Sequence, residues 1–142
     1  MKIRNRIVET RTVLARDLVP NPRNWRRHPK AQADALKALL REIGNADALL
    51  ARELPDQRLM LVDGHLRADI MPDQLVTVLV LDLNEAEADK LLLTLDPLAA
   101  MATAHNQRLN ELLETVRSDD PAVLALLDGM GFAPRRACSF RN

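Results

Sequence analysis

The residues best suited to chemistry stand together at Asp63-Gly64-His65-Leu66-Arg67, directly after an apolar run that ends in Leu61-Val62. A strand that breaks at glycine and feeds a helix leaves main-chain N–H groups unpaired, and glycine lets an anion come close to them. Arg67, one turn further on, can add a two-pronged charged contact to the same anion. Asp63 can hold a metal ion that travels with phosphates or orient a hydroxyl as a base, and His65 can donate to a phosphate or move a proton. These letters also have a plainer reading. Asp63 then caps the helix, Gly64 turns the chain, His65 is a surface residue, and Arg67 pairs with Asp69 or Asp63.

A second group lies at Arg23, Trp25, Arg26, Arg27 and His28, in a stretch stiffened by Pro20, Pro22 and Pro29. Arginines on such a loop can close over a nucleotide, and Trp25 can stack on a base. The alternative is a tryptophan that plugs the aliphatic core, with solvated arginines around it. His28, His65 and His105 have no cysteine or acidic spacing that announces zinc, so no metal site is assigned.

These groups need elements to position them. Val13 to Leu18 reads as a short strand, and the prolines after it enforce a loop. Ala35, Leu36, Leu39, Leu40 and Ile43 follow helical spacing behind Pro29, which predicts a helix over 30–43 stopped by Gly44. Ala48 to Leu54 and Arg58 to Val62 read as a hairpin turning at Pro55-Asp56-Gln57. A short helix then spans 65–71 before Pro72, and Leu75 to Leu81, rich in β-branched residues, reads as a central strand covered on both faces. Asn84 and Glu87 form a capping box for a helix over 85–95, with Asp96-Pro97 ending it and capping another. A further helix carries Leu109, Leu112, Leu113 and Val116, and Asp120-Pro121 opens a last one reaching Gly129 and Gly131. The expected architecture is an α+β core with a helical C-terminal extension, divided at residues 1–96 and 97–142.

Composition narrows the field. Two Phe, one Trp and no Tyr leave few platforms for stacked bases, which counts against a single-strand-binding module. The lone cysteine, Cys138, cannot close an internal disulfide and suits a reducing cytoplasm. No apolar run reaches membrane-spanning length. Net charge is zero but unevenly spread: residues 1–30 carry nine Lys and Arg against Glu9 and Asp17, a net of plus seven, so the rest is minus seven. A basic segment of this kind contacts DNA phosphates or docks on the protein's own acidic surface.

Asn21-Pro22-Arg23-Asn24, the helix ending in Ile43-Gly44, the hairpin, Val62-Asp63-Gly64-His65-Leu66-Arg67 and the Val-rich strand closing on Asp82-Leu83 together resemble the ParB-like fold shared with sulfiredoxin and the free serine kinases. The resemblance spans about residues 11–96. The continuation Leu92-Leu93-Thr94-Leu95-Asp96-Pro97-Leu98-Ala99-Ala100-Met101-Ala102 is similar to ParB-like proteins of phages and mobile elements and those encoded beside DNA methyltransferases.

In that family the Gly-x-x-Arg turn grips nucleotide phosphates, so the resemblance implies CTP or ATP, with Mg²⁺, at Gly64, His65 and Arg67, with Arg23 and Arg26 reaching in from the proline loop. It also implies Asp63 and His65 as the catalytic pair if the site turns over. His65 stands where sulfiredoxin needs cysteine, which excludes peroxiredoxin repair. His65 and Leu66 replace the Glu-Arg of the partitioning proteins, and the kinase-like Asp-Gly-His-His-Arg differs only at Leu66. The reading that follows is a cytoplasmic nucleotide-binding module tied to DNA processing or partition in a mobile element or phage, with DNA, a methyltransferase or a second copy as partners. Its alternatives are a small-molecule kinase or nucleotide hydrolase, and a DNA-binding protein or nuclease. The acidic Asp119, Asp120 and Asp128 argue against a DNA-reading helix near the C-terminus.

Overall fold

The computed structural model describes residues 1–130; Gly131 and Cys138 lie outside the described residues. The elements run β1 (Ile7–Leu14), a 3-10 turn (Ala15–Asp17), α1 (Lys30–Glu42), β2 (Leu49–Glu53), β3 (Leu59–Asp63), α2 (His65–Ile70), β4 (Leu75–Leu81), α3 (Glu85–Ala100), α4 (Asn106–Thr115) and α5 (Pro121–Asp128). This is the expected α+β class, with one mixed sheet in the order β1-β4-β2-β3. β4 pairs antiparallel with β1, through partners such as Thr10 and Leu79, and parallel with β2, through Leu49 and Val78. β2 and β3 close the antiparallel hairpin. Its turn works without glycine because Gln57 takes the left-handed conformation at φ 71°, while the Asp56 carboxylate accepts the Arg58 amide at 3.1 Å.

The described chain divides into two compact units, Met1–His28 with Asn45–Met101, and Pro29–Gly44 with the residues from Ala102 onward. In the first, Leu18, Leu49, Ala51, Leu59, Leu61, Val76, Val78 and Val80 bury on one side of the sheet with Ala15 and Ala68. Three expectations need correction here. The first strand starts at Ile7 and stops at Leu14, because pairing with β4 draws the polar run Glu9-Thr10-Arg11-Thr12 into the sheet at its edge, where polar side chains stay wet. β4 is central and has Val76, Val78 and Val80 buried on one face, while its other face is covered only toward the end of the strand: Leu75 and Thr77 are exposed, Leu79 is half-buried and Leu81 is buried. α3 runs through Pro97 to Ala100. The proline removes the donor for the Leu93 carbonyl, and Leu93 is exposed, so water can replace it.

Two networks anchor α3. The Asn84 side chain accepts the Glu87 amide at 2.9 Å, and Glu87 accepts the Asn84 amide at 3.1 Å. Arg6 forks onto the same Glu87 at 2.7 and 3.1 Å, and these bonds, with the Asn84 amide, hold the Glu87 carboxyl down at about 2. In the second unit α1 packs on α5, which Asp120 caps through the amides of Ala122 and Val123 with Pro121 in its first turn. Ala35 and Ala38 are the buried positions of α1, and Ile43 is exposed rather than part of the inward stripe. Ser118 donates to Glu42 at 2.7 Å.

Removing the cap at Asn84→Ala leaves the first turn of α3 without its acceptor, so urea unfolding is expected to show a loss of about 1 kcal/mol. An unchanged midpoint would mean that the box contributes nothing.

Candidate functional site

Gly64 is glycine for two independent reasons. Its backbone sits at φ +100°, and a Cβ there would lie 2.7 Å from Leu49 Cγ and 3.1 Å from Arg67 Nη2. It forms the N-cap of α2 with no side-chain cap, and the first helical bond runs from the Ala68 N–H to the Gly64 carbonyl at 3.0 Å. The amides of His65, Leu66 and Arg67 therefore have no acceptor within the helix. The capping role considered for Asp63 is not what its carboxylate does.

Asp63, at the end of β3, stands between two arginines. Its Oδ1 accepts from Arg26 Nη1 at 3.3 Å, and its Oδ2 lies 3.8 Å from Arg67 Nη2. Arg67 folds back across the glycine turn, pairs with Asp47, and its Nη2 reaches the Ala48 carbonyl at 3.5 Å; its side chain is only 13% exposed. Of the two partners expected from sequence it takes Asp63 and not Asp69, because residues two apart on a helix do not face each other. Arg26 comes from the proline loop, also bonds Asp96 at 2.8 Å, and is 14% exposed. Its Nε and Nη2 are buried without an acceptor among the described residues, and Asn24 Oδ1 is buried there without a donor.

The structure thus gathers Asp63, Gly64, Arg67 and Arg26 at one place, and sets Arg23 apart on Asp89 of α3 at 2.5 Å. His65 is not the surface residue one reading expected. It is 8% exposed, and its Nε2 accepts the Asn21 amide at 3.2 Å. Burial, helped by the nearby Arg26 charge, pushes the imidazole below its ordinary range and favours the neutral ring that this bond requires. Asn21 went unassigned in the sequence although it joins three elements: its Nδ2 donates to the Leu61 carbonyl at 3.2 Å and its Oδ1 accepts the Arg23 amide at 3.0 Å. A polar residue between two prolines was the available signal. Asp47 and Asp96 gave none, lying 20 and 70 positions from the arginines they pair with. Trp25 is half exposed, donates to the Leu92 carbonyl at 3.1 Å, and has the Arg26 guanidinium 6.0 Å from its ring centre.

The basic segment is largely docked on the protein's own carboxylates. Arg6, Arg11, Arg16, Arg23, Arg26 and Lys30 all make ion pairs. Among the described residues no helix is long and apolar enough to cross a membrane.

No family model and no curated protein matches the chain. Among solved structures, it matches the C-terminally truncated chromosome-partitioning protein ParB from Caulobacter crescentus, complexed with CTP-gamma-S, with a TM-score of 0.60 and 20% identity over 75% of this chain. The fold is ParB-like. The match spans 64% of that ParB chain, so this protein corresponds to less than two thirds of its length. At this identity the ParB likeness concerns the path of the backbone.

Gly64→Ala should lose about 2–4 kcal/mol, part from the left-handed backbone and part from the overlap with Leu49. Denaturation of the Gly64→Ala, Leu49→Ala and double variants checks this; the two losses should be clearly less than additive, and strict additivity would remove the steric half of the argument. His65 yields a pH dependence. Its folded-state pKa is lowered, so its contribution is fully present above the ordinary histidine value near pH 6.5 and is lost as pH falls toward the folded value. The melting temperature should drop on acidification through that window, and His65→Gln should flatten the drop; equal slopes would exclude His65 as its source.

Proposed function

We propose that the Asp63–Arg67 turn and Arg26 seat the phosphates of a nucleoside triphosphate, and that the protein is a ParB-like nucleotide-binding module serving DNA processing or partition. The observation that carries this is the Arg26 guanidinium, with two buried N–H groups lacking acceptors, joined through Asp63 to the arginine of an uncapped glycine turn. Buried donors without partners are costly, and a phosphate oxygen is the acceptor that fits a guanidinium fork. The CTP analogue held by the Caulobacter ParB supports a nucleotide as the carrier of that phosphate.

The residues divide the work. Gly64 lets the anion approach the α2 amides, and Arg67 and Arg26 supply positive charge from two sides. Asp47 and Asp96, the present partners of those arginines, are 74% and 50% exposed, and pairs this wet are worth only about 0–1 kcal/mol, so a multivalent phosphate can displace them. Asp63 holds both guanidinium groups in reach and could take a Mg²⁺ that arrives with the nucleotide. Asp63 and His65 were the candidate catalytic pair. With Asp63 bridging two arginines and His65 committed to Asn21, binding is favoured over phosphoryl transfer as the work of the site. CTP or ATP, a mobile-element setting and a methyltransferase partner belong to the same proposal, as do DNA contacts by the basic segment, whose exposed ion pairs can exchange for phosphates.

Thermal melting with CTP, ATP and GTP, each with Mg²⁺, tests it. One nucleotide should raise the melting temperature, by about 2.7 kcal/mol of stabilisation at a hundredfold excess over Kd. Arg67→Ala and Arg26→Ala should each abolish the rise while keeping the far-UV spectrum. No rise with any nucleotide overturns the proposal, and release of inorganic phosphate would restore the hydrolase reading.

A further inference from the structure

The two edges of the sheet are treated differently. Beyond β3 the chain itself supplies a cover: Val19 bridges to Met60, its amide donates to the Leu59 carbonyl at 2.8 Å, and its carbonyl accepts the Leu61 amide at 2.9 Å. The opposite edge is β1, whose one ladder partner among the described residues is β4. β1 is eight residues long, contains no proline or glycine, is largely exposed, and is rich in β-branched residues at Ile7, Val8, Thr10, Thr12 and Val13. An open edge of this length and composition is a template for another strand.

Its charges select the partner. Glu9 and Arg11 flank Thr10 on one face of the strand and already pair with each other at 2.7 Å. Arg11 also reaches across β4 to Glu53 of β2 at 2.8 Å, an exposed contact that a facing Glu9 can replace. In an antiparallel self-pairing centred on Thr10, Glu9 of each copy faces Arg11 of the other, giving two opposite-charge cross-strand pairs, and the two Thr10 residues face each other. Centring the pairing on Glu9 places glutamate against glutamate, and centring it on Arg11 places arginine against arginine. The register shift between β1 and β4 falls between Ile7 and Glu9, outside this central trio.

We propose that β1 is a self-association edge, pairing antiparallel with β1 of a second copy about a two-fold axis through Thr10. The edge is independent of the anion site. Two strands bury less than the roughly 1,000 Å² typical of a firm interface, so the dimer is weak and forms from about 10 μM to about 1 mM.

Sedimentation of the full chain over that range should show a concentration-dependent dimer. Glu9→Arg and Arg11→Glu should each sediment as monomers, since each opposes like charges, and an equimolar mixture of the two should dimerise again because every facing pair is then opposite. A wild type that stays monomeric throughout, or single variants that dimerise like it, overturns the proposal. Should either variant fail to fold, Thr10→Cys in a Cys138→Ser background supplies the second reading. Facing residues lie about 4.5–5.5 Å apart between Cα atoms, within disulfide reach, so oxidation should link Thr10→Cys into a dimer and leave Val8→Cys, four residues off its own copy, unlinked. Equal linking of both positions, or none at Thr10→Cys, rejects the register.

Discussion

Asp63 shares its carboxylate between Arg26 and Arg67, and the local order of the whole site depends on that division. The aspartate ends β3, one arginine comes from the proline loop and the other from the adjoining α2, so one group ties the distant proline loop to the β3–α2 turn. Two guanidinium groups this close repel each other, and the shared carboxylate is what lets both stay largely buried beside the glycine turn. The outer partners, Asp47 and Asp96, approach the arginines more closely but stand in water, where such pairs contribute little.

Beneath this ion cluster lies an apolar and hydrogen-bonded floor. Leu49, fully buried, packs so closely under Gly64 that the turn cannot carry a side chain. His65 and Asn21 sew the proline loop to α2, and Asn21 continues the seam to β3 through Leu61. Histidine and asparagine in such positions are costly to bury alone; they are tolerated because His65 accepts the Asn21 amide, while the Asn21 side chain bonds the main chain of Leu61 and Arg23. A site that must present charge at a backbone turn needs this rigidity, since arginine gains from bidentate geometry only when its neighbours hold still.

The sheet shows the same economy at its borders. One edge is closed by Val19, a residue with no evident signature in the sequence, and the other carries alternating polar and β-branched residues with a charge order that is its own complement. The ParB-like topology places the glycine turn at the end of β3, away in sequence from the open edge.

Sequence alone determined much of this protein. Helix spacing, prolines and capping residues located α1, α2, α4 and α5 closely, because those signals act within a few residues of chain. The hairpin and β4 were legible for the same reason, and Gly64 with Arg67 stood out by local pattern. Tertiary structure decided the rest. It extended β1 back through polar residues by pairing them with β4, carried α3 past Pro97 beside the exposed Leu93, and left the second face of β4 uncovered at its start, at Leu75 and Thr77. It also chose the partners of Arg67 and Arg26, buried His65, and sent Arg23 to α3, since ion pairs and burial depend on neighbours tens of residues away that no local pattern records.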